Sequence, residues 1–167
     1  LLTKFKNWVL RRYAEHKEAV IITCYFNPQK SEYRRKAFQI FYDSVKHLNV
    51  RVVECVIGDN QSELVDIPNL KLVYTDSLLW HKEALLNGLI KELPPQFKYV
   101  FWIDADVLFT NRNWLVDSVT QLENGATIVQ PFEYCFHLDK GELEPEDKEE
   151  IRELAQDKEY TAQNGRK

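Results

Sequence analysis

Short apolar runs rich in β-branched residues alternate along this chain with segments of helical periodicity, the pattern of a parallel sheet covered by helices. Strands are expected at 19–24, 51–57, 70–74, 98–103 and 126–130, each too short for a buried helix. Helices are expected between them. The first is 3–17, capped by Thr3, with Phe5, Trp8, Val9 and Tyr13 on one face. The second opens at Ser31 and runs to about 48, turning Ala37, Phe38, Phe41, Tyr42 and Val45 to the core. The third, 80–93, carries Leu85, Leu86, Leu89, Ile90 and Leu93 on its apolar side and is stopped by Pro94-Pro95. The fourth, 113–122, is capped by Asn113. At 167 residues the chain is long enough for one domain with a sizeable core, and a single domain is expected.

Charge is segregated rather than large. Residues 139–167 hold ten acidic and six basic side chains, which accounts for the whole net charge of −4. That segment is expected to form an acidic, solvated helix or a mobile flap, with Pro145 in its first turn and Ile151, Leu154 and Ala155 as a thin apolar stripe. The balanced remainder offers no basic face, so a nucleic-acid partner is not expected. No apolar run approaches the roughly 20 residues that span a bilayer, and no transmembrane segment or signal peptide is read. Cys24, Cys55 and Cys135 are odd in number and widely spaced, which fits buried free thiols and a cytoplasmic setting better than disulfides or zinc.

In open α/β sheets, ligands sit beyond the carboxyl ends of the strands. Those places are 23–27, Gly58-Asp59-Asn60, 75–82 and Asp104-Ala105-Asp106. The last has the sharpest chemistry. The run Tyr99-Val100-Phe101-Trp102-Ile103 reads as a strand buried on both faces, and two aspartates follow it with one small residue between them. In extended chain, positions i and i+2 point the same way, so both carboxylates are expected to face one ligand. Two carboxylates so close repel, and a divalent cation relieves the conflict. Hard oxygen ligands suit Mg²⁺ or Mn²⁺, which keep positions open for phosphate oxygens.

The pattern Leu79-Trp80-His81-Lys82-Glu83, then Leu86-Asn87, then Tyr99-Val100-Phe101-Trp102-Ile103-Asp104-Ala105-Asp106, with Trp114 after it, resembles glycosyltransferases of the GT-A fold, family-2-like, over residues 19–138. The segment Ile21-Ile22-Thr23-Cys24-Tyr25-Phe26-Asn27-Pro28 is similar to their first strand and nucleotide loop. The resemblance implies a Rossmann-like nucleotide-diphospho-sugar transferase fold and transfer of a sugar from a nucleotide donor, a uridine-diphosphate sugar above all, to a hydroxyl acceptor. It implies Asp106 as the main metal ligand, with Asp104 reaching the ribose or the metal through water. Thr23, Tyr25, Phe26 and Asn27 would line the base and ribose, and Asp59 would bond the nucleobase. Lys82 would lie near a phosphate, with Asn87 on the same helix. The acceptor half and its catalytic base would follow a segment like this one, so the chain is expected to be truncated at its C-terminal end. His137 and Asp139 are placed in a late loop, and no catalytic residue is assigned.

Two other readings accompany this one. A phosphatase of the haloacid dehalogenase type also ends an apolar strand in Asp-x-Asp, with Asp104 as nucleophile and Asp106 as acid/base. Its motif ends the first strand, however, whereas three strand–helix units precede it here, and no later lysine and acidic pair stand in a strand context. A non-catalytic nucleotide-binding module is the other. A basic amphipathic N-terminus, with Lys4, Lys6, Arg11 and Arg12 around Phe5 and Trp8, also suits a membrane surface, although a packed capping helix explains it as well.

Overall fold

The computed structural model describes residues 17–79 and 81–138. The expected runs form four strands, β1 (Ala19–Phe26), β2 (Val50–Ile57), β3 (Lys71–Thr75) and β4 (Tyr99–Trp102). Among the described residues they are accompanied by the helices α1 (Glu32–Val45), α2 (Lys82–Lys91) and α3 (Trp114–Glu123). The strands stand in the order β3-β2-β1-β4, and every neighbouring pair is parallel. The chain is thus an α/β protein with a parallel four-stranded sheet. It divides into two compact units, one ending at Val107 and the other beginning at Leu108.

In the first unit β1 is an inner strand, paired on both edges. Ile21 to Phe26 pair with Val50 to Cys55 on one edge, and Ala19 to Ile22 pair with Tyr99 to Trp102 on the other. Side chains alternate across a strand, so β1 presents two different faces. Val20 and Ile22 join Val53, Leu86 and Leu89 in one core cluster, which seats α2 on that side. On the opposite side the Tyr25 ring lies 4.9 Å from that of Phe38, which stacks on Tyr42 at 5.9 Å. Helix α1 therefore covers the other face.

The ends of α1 follow from its sequence. Ser31 is extended at the N-cap and its hydroxyl accepts from the Arg34 N–H at 3.4 Å, while Glu32 places negative charge in the first turn. Phe38, Phe41 and Val45 are its buried positions, at helical spacing. In α2 only Leu86 and Leu89 are fully buried, and Ile90 is 45% exposed.

Several expectations are corrected. β4 is an edge strand among the described residues, not one buried on both faces: Phe101 and Ile103 are buried, but Trp102 is 54% exposed. The run 126–130 forms no strand. The Ala126 N–H donates to Gln121 O and that of Gly125 to Leu122 O, a Schellman closure of α3 that Gly125 permits with φ of 101°. Ile128 is left 88% exposed, because a β-branched run is no strand without a ladder partner. Asn113 occupies the N-cap of α3 without a side-chain cap bond. Asn111 ties that turn instead, accepting from the Asn113 N–H and donating to Asp117. In the same unit Trp114 stacks on Phe109 at 4.2 Å. The helix expected at 3–17 lies, except for Lys17, outside the described residues, as do Trp80, Asp139 and the acidic segment. No helix among the described residues is long and apolar enough to cross a membrane.

The two sides of α2 make a direct test. Leu86→Ala is expected to destabilise the fold by about 2–5 kcal/mol, and Ile90→Ala by less than about 0.5 kcal/mol. Urea unfolding of both variants checks the assignment, and equal losses would contradict the buried face described here.

Candidate functional site

The strand order reverses direction at β1: β2 and β3 lie to one side and β4 to the other. The carboxyl ends of β1 and β4 lie side by side there, the ligand position in open α/β sheets. A cleft of about 190 Å³ occupies this place. β1 contributes Cys24, Tyr25 and Phe26, and the segment after β4 contributes Asp104, Ala105 and Asp106. Arg34 and Ala37 enter from α1, and His81, Lys82 and Leu85 from the start of α2. Its volume is below the roughly 300–1,000 Å³ of pockets that enclose a whole ligand. These residues therefore form a wall against which part of a ligand can lie.

Both aspartates reach the cleft, but not by the pleat of a strand. The Val107 N–H donates to Asp104 O at 3.4 Å, so Ala105 and Asp106 occupy a turn. Both carboxylates are exposed. The Lys82 ammonium is ion-paired to Asp104 Oδ1 and lies 5.2 Å from the centroid of the Trp102 ring. Asp106 has no ion-pair or hydrogen-bond partner among the described residues. Arg34 brings a second cation, its guanidinium donating to Phe26 O at 3.1 Å. The signal for Arg34 was its place in the first turn of the helix after β1, where a helix N-terminus faces the crevice.

Of the residues expected at the site, Tyr25, Phe26, Lys82, Asp104 and Asp106 are brought together. Thr23, Asn27, Asp59 and Asn87 are not. Thr23 is fully buried on the α1 face of β1, two residues below Tyr25, and its hydroxyl has no partner among the described residues. Asp59 is exposed in the turn after β2, where Gly58 takes φ of 58°. Asn87 is exposed on α2, outside the cleft. His81 stands at the N-cap of α2 without capping it, and its Nε2 is buried without a partner among the described residues.

Asn27 has a structural task that composition could not reveal. It is 6% exposed, and its Nδ2 lies within donating distance of Glu63 Oε2 (2.9 Å), Ser31 O (3.0 Å) and Tyr25 Oη (3.1 Å). Its Oδ1 accepts from the Ser31 N–H at 2.9 Å. The Tyr25 hydroxyl in turn donates to Glu63 Oε2 at 3.1 Å. Behind them the buried Glu54 accepts from Ser62 Oγ and, at 2.8 Å, from the Glu63 N–H. Three chain segments are thus locked beneath the cleft. Burial, with the nearby Glu63 carboxylate, holds the Tyr25 phenol well above its ordinary range, so it stays a neutral donor.

The chain matches no family model, no curated protein and no solved structure.

Two outcomes follow. Asn27→Ala is expected to cost about 1–3 kcal/mol, since it leaves buried partners unpaired, and chemical denaturation measures it. Burial, then the neighbouring Cys55, pushes the Cys24 thiol from 9.0 up to about 12, with Lys82 opposing. Below 9.0 both folded and unfolded chains keep the proton. Above it the unfolded chain releases a proton that the folded one retains, so stability is expected to fall as pH rises from 9.0 towards 12. Cys24→Ala should flatten that slope in denaturation curves taken across the range.

Proposed function

We propose that this chain carries the donor-binding part of a metal-dependent glycosyltransferase of the GT-A type, binding a nucleotide-diphosphate sugar whose sugar passes to a hydroxyl acceptor. One observation carries the reading: Asp104 and Asp106 share a cleft with Lys82 and Arg34 at the point where the strand order reverses. A diphosphate needs both kinds of group. Its oxygens suit the ammonium and the guanidinium. A divalent cation shared with the phosphates suits two exposed carboxylates.

The donor set fits Mn²⁺ or Mg²⁺ in this manner. No group of three or more His, Cys, Asp or Glu side chains that could cage a metal exists among the described residues. Magnesium-type sites, however, commonly use one or two carboxylates and leave the remaining positions to water and substrate phosphate. Asp106 and Asp104 would hold the cation, which when bound neutralises charge on the departing nucleoside diphosphate. The protein's own groups do the rest. Lys82 and Arg34 draw the phosphates into the cleft. The Tyr25 and Phe26 wall supports the nucleoside, with Tyr25 fixed from behind by Asn27 and Glu63. A haloacid-dehalogenase-like phosphatase is disfavoured because the aspartates follow β4, while β1 ends in Cys24-Tyr25-Phe26.

The test is thermal stabilisation by Mn²⁺ with a panel of nucleoside diphosphates and nucleotide sugars. A ligand at a hundredfold excess over Kd adds about 2.7 kcal/mol. The expected result is a shift that requires both metal and one nucleotide and disappears in Asp106→Ala. Stabilisation by beryllium fluoride and by no nucleotide would overturn the reading in favour of phosphate-ester chemistry.

A further inference from the structure

The two carboxylates of the cleft are not equivalent. Asp106 has no charged partner among the described residues, whereas Asp104 is already neutralised by Lys82. That lysine is held in place. Its backbone is the first residue of α2, and its side chain is only 18% exposed against 54% for Asp104. The ammonium sits between the Asp104 carboxylate and the Trp102 ring. An ammonium withdrawn from water to this extent depends on those two partners in place of hydration. A divalent cation approaching both aspartates therefore meets a positive charge on one of them. Removing Lys82 from Asp104 without a substitute would leave the ammonium with the ring as its one remaining partner among the described residues.

From this geometry we propose that Lys82 is the resident counter-charge of Asp104 and releases it only to a diphosphate, so that divalent cation and diphosphate bind as a coupled pair. This deepens the reading above and rests on it. A diphosphate supplies anionic oxygens that replace the carboxylate as partners of Lys82, and Asp104 is thereby freed for the metal. Linkage makes the effect reciprocal, so the cation tightens the diphosphate by the same factor. Without nucleotide the site holds its metal weakly, and Lys82 keeps the two aspartates from stranding an uncompensated double charge.

The experiment measures Mn²⁺ bound to the full chain, by the water-proton relaxation enhancement of protein-bound metal, with and without uridine diphosphate. Lys82→Met keeps an apolar stem over Trp102 and removes the charge. It is expected to bind Mn²⁺ alone on the order of tenfold more tightly than wild type, within the usual range of coupling between sites. Lys82→Arg, which keeps the ion pair, should behave as wild type. The gain should vanish in an Asp104→Asn background, and uridine diphosphate should tighten Mn²⁺ binding to wild type far more than to Lys82→Met. If wild type takes up Mn²⁺ with uridine diphosphate but Lys82→Met binds Mn²⁺ no better than wild type, the inference falls and the donor-site reading stands. A gain that persists in Asp104→Asn also overturns it, since Lys82 would then act as a diffuse charge. Absence of protein-bound Mn²⁺ in every variant, with or without uridine diphosphate, overturns both.

Discussion

Pairing both edges of β1 while burying both of its faces leaves the rest of the first unit little freedom. Its backbone groups are satisfied only if β2 and β4 lie on either side. Its even-numbered side chains need an apolar cover and receive α2, while Tyr25 on the opposite face packs against α1. Because the strands are parallel, each connection must return over a face of the sheet. The carboxyl ends of β1 and β4 then lie side by side, with the starts of α1 and α2 beside them. The crevice is a by-product of the same constraint that makes the core.

Polar groups around that crevice fall into two classes. Beneath it, Asn27, Tyr25, Glu63, Ser62 and Glu54 form a network whose donors and acceptors are nearly all used, and its work is to hold the loops. At its surface, Asp104, Asp106, Lys82 and Arg34 keep charged atoms open to a ligand. Burial separates the two classes. A buried polar group without a partner is costly, so the lower layer is closed. The upper layer is hydrated and can exchange water for ligand. Lys82 bridges them, with a largely covered side chain paired to an exposed carboxylate.

Much of this was legible in the residues. The four strands of the sheet lie within two residues of their expected ends, because apolar runs of that length have few alternatives. The Asp104-Ala105-Asp106 motif, Lys82, Tyr25 and Phe26, which the sequence marks as candidates, share one cleft. Expectation and structure part where a local pattern needed a distant partner. Residues 126–130 have strand composition, yet the N–H of Ala126 closes α3 and no strand among the described residues pairs with them. Asn27 has the look of a ligand-binding amide, yet Glu63, far along the chain, claims it. Thr23 shares a face of β1 with Tyr25, but it is fully buried beneath it and does not line the cleft. Asp59 and Asn87 have suitable side chains at positions that turn them to solvent outside it.

The sequence by itself determined the alternation of strands and helices, the faces of α1 and the presence of two hard carboxylates after an apolar strand, since each depends on residues within a turn or two. Only the tertiary structure decided that β4 returns to the far side of β1, that Arg34 joins the cleft, and that Lys82 reaches Asp104 across 22 residues of chain. Periodicity reports which way a side chain points from its own backbone. Which groups meet is settled by the order in which strands pair, and that order depends on the packing of the whole sheet.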